Sequence, residues 1–219
     1  MKASIKVPPG FSVEKARVAQ KALAARVRFD GVKPWQVKLI GGVDLSYPQP
    51  ERARGAAVVL KFEDLSLVEA RVAEVKVRFP YVPTLLSFRE APAIFKVLGM
   101  LSHKPDIVLV DGQGVAHPYG CGLASHIGVV LNQPTIGVAK KLLCGELTPF
   151  KPGLDLIVLE GRRVGAALTV KEGLKPIYVS VGHMVSLEDA LEIVRRSIKA
   201  GRIPEPLRLA HRLATQGRL

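Results

Sequence analysis

The feature that most constrains the fold is a continuous apolar run at 105–111, which ends in the carboxylate of Asp111. A strand without polar positions must be covered on both faces, as is typical of a parallel strand in the centre of a sheet. A helical pattern over 122–131 and a second short apolar segment, 134–139, follow it. Because parallel neighbours need a crossover of about a dozen residues, usually a helix, this succession predicts two parallel strands.

Three segments with strand-like patterns precede this unit, at 37–47, 55–62 and 68–72. The links between them are short, which implies antiparallel pairing. A helical pattern at 87–101 then leads into the apolar run. We therefore predict an α/β protein with a mixed sheet, three antiparallel strands and then parallel strands, flanked by helices. This order of elements is characteristic of the ribonuclease H-like fold.

Capping signals predict a helix near each end of the sequence. Ser12 is the predicted N-cap of a first helix at 11–27, with Phe11 and Ala16 as its hydrophobic staple. Ser186 opens a capping box in front of an amphipathic segment with helical spacing.

A late hairpin and a last helix complete the predicted elements. The hairpin spans 156–170, and a short last helix starts near 204–206. In that helix Leu207, His211 and Ala214 share one face. We expect this face to point inward and to bring the His211 ring to the edge of the sheet, although a histidine bonded within the core fits the same pattern.

The composition fits one globular domain spanning 1–219, because no repeat or Gly/Ser linker divides the chain. Hydrophobic residues at 48% and charged residues at 23% exclude a disordered chain. The net charge is +13, from 32 Lys and Arg against 19 Asp and Glu, and it favours a polyanionic partner such as nucleic acid. The alternative is a basic surface that serves solubility or heat resistance.

Two cysteines, Cys121 and Cys144, are too few for a disulfide scaffold or a cysteine zinc site. No apolar run reaches the roughly 18 residues that a membrane span needs, and 1–6 leads into no signal-type core. We therefore expect a cytoplasmic protein without a membrane partner, whose metal, if it binds one, is held by carboxylates or histidine.

Three acids have positions that favour chemistry. Asp44 interrupts an apolar strand, Asp111 ends the central run, and Glu90 lies early in the helix expected to cover the sheet. If they converge, they offer the oxygen ligands that Mg²⁺ prefers, and they predict metal-assisted hydrolysis of a phosphodiester. Taken singly, each acid has a structural alternative: Asp44 as a hydrogen-bond acceptor, Asp111 as a turn cap, and Glu90 as an ion-pair partner on a solvated face.

Several long motifs, in order, resemble the endonuclease V family, repair nucleases that recognise deaminated purines. The resemblance extends over 11–214. It rests on 42–47, 80–90, 111–118, 122–128, 134–141 and Gly182-His183.

The resemblance implies a ribonuclease H-like fold in which Asp44, Glu90 and Asp111 bind Mg²⁺, or Mn²⁺, and carry the cleavage chemistry. It places His211 beside the metal, where some relatives have Asp. It implies that Lys140 follows a buried strand into the site, where its cation offsets charge developing on the phosphate; a solvated cation at the end of a strand is the alternative.

The resemblance also implies a wedge and a base pocket. In Pro80-Tyr81-Val82-Pro83 two prolines stiffen the backbone around Tyr81, which fills the gap left by a flipped base; a core tyrosine in a rigid loop is the alternative. Histidines are weaker candidates for contacts to phosphate or base, namely His117, His126 and His183. The pocket for hypoxanthine is lined by Leu86, Gly112, Gly122, Leu123 and Leu143.

Two positions depart from the family pattern. Thr84 stands where many relatives have glycine, so we expect a stiffer backbone beside the wedge. Tyr119-Gly120 follows His117-Pro118 where relatives often carry arginine. The acids are unaffected, so we expect the protein to remain active. If these two positions have an effect, we expect it to be on strand affinity or base selectivity.

The resemblance implies a nuclease that nicks DNA at the second phosphodiester bond 3′ to hypoxanthine (deoxyinosine), leaving 3′-hydroxyl and 5′-phosphate ends. Nothing in the sequence demands more than a monomer. Three alternatives remain open: an endonuclease for inosine-containing RNA, a less lesion-specific ribonuclease H-like nuclease such as a junction resolvase, and a nucleic-acid-binding module without activity.

Overall fold

The computed structural model describes residues 12–219, and their strands form one nine-stranded sheet. The order across the sheet is β3-β2-β1-β4-β5-β9-β8-β7-β6. The strands are β1 (Leu39–Gln49), β2 (Arg52–Lys61), β3 (Leu67–Lys76), β4 (Ile107–Asp111), β5 (Thr135–Ala139), β6 (Glu146–Lys151), β7 (Leu154–Leu159), β8 (Arg162–Leu168) and β9 (Ile177–His183).

Five α-helices and one short 3₁₀ helix accompany the sheet within the described residues. None of these helices has the length and apolarity needed to cross a bilayer. They are α1 (Val13–Ala24), the 3₁₀ helix (Pro34–Gln36), α2 (Leu86–Leu98), α3 (Leu123–Leu131), α4 (Leu187–Arg196) and α5 (Glu205–Gln216).

The pairing of the strands confirms the predicted mixed sheet. β1 pairs antiparallel with β2, and β2 pairs antiparallel with β3. On its other side β1 pairs in parallel with β4, which pairs in parallel with β5. A parallel centre of three strands therefore lies between two antiparallel ribbons.

The apolar run in β4 belongs to two cores at once, as its composition predicts. Ile107 and Leu109 pack into the core that includes α4 and α5, whereas Val108 and Val110 pack into the core beneath α2 and α3. All four side chains are fully buried. Because each such burial stabilises the fold by about 1.5–3 kcal/mol, β4 is the anchor of the sheet.

Both predicted N-caps are confirmed, although the Asp189 carboxylate accepts from Ser186 Oγ and not from the backbone N–H as in a capping box. Ser12 Oγ accepts a hydrogen bond from the Lys15 N–H, and Ser186 Oγ accepts one from the Asp189 N–H. The first helix is shorter than predicted, since it ends at Ala24, and Phe11 of the predicted staple lies outside the described residues, as do 1–6.

The predicted late hairpin is β7 and β8, with Glu160 and Gly161 at its turn. Two strands had no counterpart in the sequence analysis. β6 is exposed throughout and contains Pro149, and β9 mixes buried apolar residues with Ser180 and His183, so neither shows an alternating pattern.

Candidate active site

Strand register brings Asp44 and Asp111 side by side. Val43 of β1 pairs with Val110 of β4 in parallel, so the next residue on each strand reaches the same edge of the sheet. Asp44 is largely buried, and its Oδ1 accepts a hydrogen bond of 2.7 Å from the Leu45 N–H. The carboxyl ends of parallel strands are where ligands gather in sheets of this kind.

Helix α5 adds His211 to this pair. Its Nδ1 lies 2.7 Å from Asp44 Oδ2, and one ligand atom from each of Asp44, Asp111 and His211 lies within 4.8 Å of the others. The close approach depends on Gly42, because a Cβ there would collide with the backbone of Pro206 at the start of α5.

The predicted inward face of α5 is correct only in part. Leu207 and Ala214 are buried, but the side chain of His211 is 56% exposed. The physical reason is that the ring lies at the rim, with one edge on Asp44 and the rest in solvent.

Glu90 of α2, on the face of the sheet opposite α5, interacts electrostatically with Asp44 and Asp111. Burial raises the pKa of Glu90 to about 7, and the charges of Asp44 and Asp111 contribute to the shift. The pKa of Asp44 is also raised, first by burial and then by Asp111. Burial is therefore the first cause of both raised pKa values, and the negative neighbours add to it.

Lys140 follows β5, which lies beside β4, and its Nζ lies 2.5 Å from Asp111 Oδ2. Its side chain is 44% exposed, so the ammonium faces solvent as well as the acid. Lys140 therefore lies beside the acids, where the resemblance places it.

The donor set fits a hard divalent cation. Carboxylate oxygens from Asp44 and Asp111 and an imidazole nitrogen from His211 lie close enough to share one ion. Burial raises the pKa of Asp44 and of Glu90, and repulsion among the carboxylates adds to each shift, which a cation would relieve. Mg²⁺ typically uses one or two carboxylates and completes its shell with water.

A cavity of about 570 Å³ opens beside the acids and brings together most of the predicted pocket. Glu90 and Lys140 belong to both the acidic site and the cavity wall. The predicted residues that line it are Tyr81, Leu86, Gly112, His117, Gly122, Leu123 and Leu143.

The predicted wedge residue Tyr81 lies on the loop between β3 and α2, at the mouth of this cavity. Its side chain is 64% exposed, so it is not the core tyrosine of the structural alternative. His117 is buried in the cavity wall, and burial together with the charge of Arg17 lowers its pKa to about 4.

The structure does not bring the two remaining histidines into the cavity lining. His126 lies between α2 and α3, with its Nδ1 3.2 Å from Ser87 Oγ, and burial lowers its pKa to about 4. His183 is buried at the end of β9, where its Nδ1 accepts a hydrogen bond from the Arg28 N–H.

Part of the cavity wall and the helix behind it were not predicted from the sequence. Ser87, Gln113 and Lys141 line the cavity, and the sequence signal for them is their place inside the quoted motifs. The other missed residues, Arg17 and Gln20 of α1, contact the loops of the cavity through hydrogen bonds, and no motif marks them.

A mixed sheet with an acidic cluster at the ends of its central strands defines an α/β nuclease of the ribonuclease H-like type. The family model for endonuclease V matches residues 21–212. The chain belongs to the endonuclease V family, whose members are metal-dependent nucleases that act on DNA.

Individual relatives agree along nearly the whole chain. Endonuclease V from Thermofilum pendens is 46% identical over 211 residues, 96% of this chain and 90% of the relative. The structure of endonuclease V from Streptomyces avermitilis has a TM-score of 0.89 at 37% identity and covers 97% of this chain and 96% of its own. Endonuclease V from Ciona intestinalis, in complex with a 24-mer DNA containing an inosine followed by a ribo-adenosine, has a TM-score of 0.83 at 29% identity, with coverages of 94% and 97%.

Proposed function

We propose that this protein is a DNA-repair endonuclease that recognises hypoxanthine in DNA and nicks the second phosphodiester bond 3′ to it, with Mg²⁺ as its metal and Mn²⁺ as a substitute. The observation that carries the proposal is that two residues of the cavity wall also act on the acids: Glu90 feels the charges of Asp44 and Asp111, and Lys140 pairs with Asp111. A base held in the cavity would therefore keep its strand beside the acids. The inosine DNA bound by the Ciona relative supports this choice of substrate.

The three acids and His211 would together hold the ion. Asp44 and Asp111 offer carboxylate oxygens from adjacent strands, Glu90 adds a third carboxyl from α2, and His211 both contacts Asp44 and offers a ring nitrogen. When bound, the ion supplies activation of water and neutralisation of charge on the phosphate. Lys140 holds a positive charge against Asp111, placed to offset charge that develops on the scissile phosphate.

The cavity and its loop account for selectivity. Tyr81 stands exposed at the mouth, where its ring replaces the stacking of an extruded base. Gly112 and Gly122 leave backbone groups accessible, and hypoxanthine offers both acceptors and an N–H donor to them. The walls near the base are largely apolar, with Leu86, Leu123 and Leu143. We assign His117 to contacts with the base or its phosphate.

The test is one end-labelled duplex with a single inosine, prepared as DNA and as RNA and incubated with and without Mg²⁺. We expect Mg²⁺-dependent nicking of the DNA at one position, two bonds 3′ to inosine, with a 3′-hydroxyl end that a polymerase extends. The matched control is the same duplex with adenosine in place of inosine. Equal cutting of both duplexes would assign a less specific nuclease, and binding of inosine DNA without cutting would assign a binding module. Faster cutting of the RNA would assign an endoribonuclease.

We further propose that the protein acts in the cytoplasm as a monomer of one domain. Both Cys121 and Cys144 are free thiols, which suits a reducing compartment. One sheet contains every strand from β1 to β9, which supports a single folding unit. Sedimentation of the purified protein tests the oligomeric state, with a mass of 23.7 kDa expected.

A further inference from the structure

Helix α1 joins two of the loops that line the cavity. Gln20 is fully buried, and its Nε2 donates hydrogen bonds to the Thr84 carbonyl at 2.8 Å and to the Cys121 carbonyl at 2.9 Å. Thr84 and Gly122, next to Cys121, both line the cavity. One amide therefore fixes the separation of two wall segments that lie far apart in the sequence.

Arg17, one turn earlier, extends this connection. Its Nη2 donates to Thr84 Oγ1 at 2.8 Å, and its Nη1 donates to Gln20 Oε1 at 2.6 Å. Its guanidinium carbon lies 3.6 Å from the centre of the Tyr119 ring, a stacked cation–π contact. Arg17 thus contacts Thr84, Gln20 and Tyr119 at once.

Thr84 needs such support because its backbone is strained. Its φ is +66°, a left-handed conformation that is strained for a β-branched residue and persists only where the surroundings hold it. Its Oγ1 donates to the Pro83 carbonyl at 2.6 Å and accepts from Arg17, so both sides of the hydroxyl are engaged. The strained residue lies three positions after Tyr81, on the same short loop.

We propose that Arg17 and Gln20 are positioning residues that hold the loop at 80–84 in its strained conformation and so set the place of Tyr81 before DNA arrives. A loop that is already in its bound conformation loses no conformational freedom when DNA binds. Holding the loop in place therefore increases the affinity for the extruded base. The chemical step depends on the acids, which Arg17 does not touch. This inference rests on the proposed function for its kinetic consequence, although the loop geometry stands without it.

The variants separate geometry from charge. Arg17→Lys keeps the positive charge but loses the planar group that stacks and donates from two nitrogens. Lys15→Ala removes a positive charge from an exposed side chain of the same helix and serves as the control. Tyr119→Phe keeps the ring beneath Arg17, whereas Tyr119→Ala removes it.

The first measurement is single-turnover nicking of the inosine duplex over a range of enzyme concentrations. We expect Arg17→Ala and Arg17→Lys to raise the half-saturating concentration about tenfold while the maximal rate changes less than about twofold. Tyr119→Ala should shift the same parameter, and Tyr119→Phe and Lys15→Ala should match the wild type. Glycine accepts a positive φ, so Thr84→Gly tests the same contact from the other side. In the Arg17→Ala background it should change the half-saturating concentration little further, because both substitutions remove the contact between Arg17 and Thr84.

The second measurement is hydrogen exchange of the Leu85 amide, which donates to the Val82 carbonyl at 3.0 Å, in the free protein, with thermal melting of each variant as a check on folding. We expect faster exchange at this amide in the Arg17 variants and unchanged exchange in Lys15→Ala. Unchanged exchange, or an unchanged half-saturating concentration in folded Arg17 variants, would overturn the inference. If the wild-type protein shows no preference for inosine, the proposed function is overturned instead. The exchange data then still test whether Arg17 holds the loop.

Discussion

His211 Nδ1 lies 2.7 Å from Asp44 Oδ2, across 167 positions of sequence. This contact joins helix α5 to the first strand of the sheet at the point where Asp111 of β4 arrives from the other side. The cluster therefore forms only when the antiparallel ribbon, the parallel centre and the last helix have packed together.

Replacing the acids should abolish chemistry without unfolding the protein. We expect Asp44→Asn and Asp111→Asn each to reduce the single-turnover nicking rate by about 100-fold or more, because an amide holds a divalent cation poorly. Inosine-duplex affinity and the melting temperature should change little. Asp155→Asn, on β7, removes a carboxylate far from the cluster and should nick normally. Full activity in Asp111→Asn would remove this residue from the site.

His211 should act on the metal requirement. We expect His211→Ala to raise the Mg²⁺ concentration for half-maximal nicking by about tenfold, since outer or direct partners of a metal site typically contribute 10- to 100-fold in affinity. His211→Asp, which restores a ligand oxygen, should recover most of the loss. The measurement is a Mg²⁺ titration at saturating enzyme. An unchanged titration in His211→Ala would show that the contact with Asp44 is structural only.

Glu90 should make stability depend on pH in the absence of metal. Its folded pKa of about 7 exceeds the usual 4.5, so the folded protein binds the proton more tightly and the ionised carboxylate costs stability as pH rises through this window. We expect Glu90→Gln to raise the free energy of unfolding by about 1–3 kcal/mol at about pH 8 in chelator, with the gain shrinking toward pH 4.5.

Urea unfolding at the two pH values checks the Glu90 prediction. Glu192→Gln is the matched control, since Glu192 lies exposed on α4 in a long ion pair with Arg196. A gain of equal size at both pH values would mean that repacking, not ionisation, is responsible.

The ring of Tyr81 should contribute binding rather than rate. We expect Tyr81→Ala to weaken affinity for inosine duplexes by about 10- to 100-fold, the range that one base–aromatic stack typically provides. Tyr81→Phe keeps the ring and should bind like the wild type. The measurement is equilibrium binding of a fluorescent duplex in Ca²⁺ or chelator. Equal affinity in Tyr81→Ala would remove the wedge from the mechanism.

Gly42 should be required for the position of α5. A Cβ there would meet the carbonyl group of Pro206, so we expect Gly42→Ala to destabilise the fold by about 1–3 kcal/mol and to weaken Mg²⁺ activation as His211 moves away. Gly99→Ala, at the ordinary φ of −66° after α2, is the control. Melting curves and the Mg²⁺ titration check both effects. A normal titration in the folded variant would contradict this reading.

The sequence predicted those parts of the fold whose residues carry their own signal. The apolar run of β4 and the hydroxyl caps at Ser12 and Ser186 are local patterns, so they could be recognised without a partner. β9 could not, because Ser180 is buried to accept a hydrogen bond from the Gly114 N–H, a requirement set by the loop after β4.

The candidate site divides in the same way. Asp44 and Asp111 stand out because a charge ends or interrupts an apolar strand, and Lys140 follows such a strand. Gln20 carries no signal of that kind: it is the single buried residue of α1, and its role is defined only by the carbonyls it meets. The exposure of His211 could not be predicted from helical periodicity either. The spacing shows which face of the helix a residue lies on, but not which part of that face extends past the sheet.

The β7–β8 hairpin has a practical consequence for experiments. Glu160, Gly161 and Arg162 at its turn are exposed, and β7 is four strands from β4, about 19 Å at the usual spacing. A fluorophore or purification handle in this turn should therefore not disturb the active site. Such a label would allow single molecules to be followed as they scan a damaged duplex.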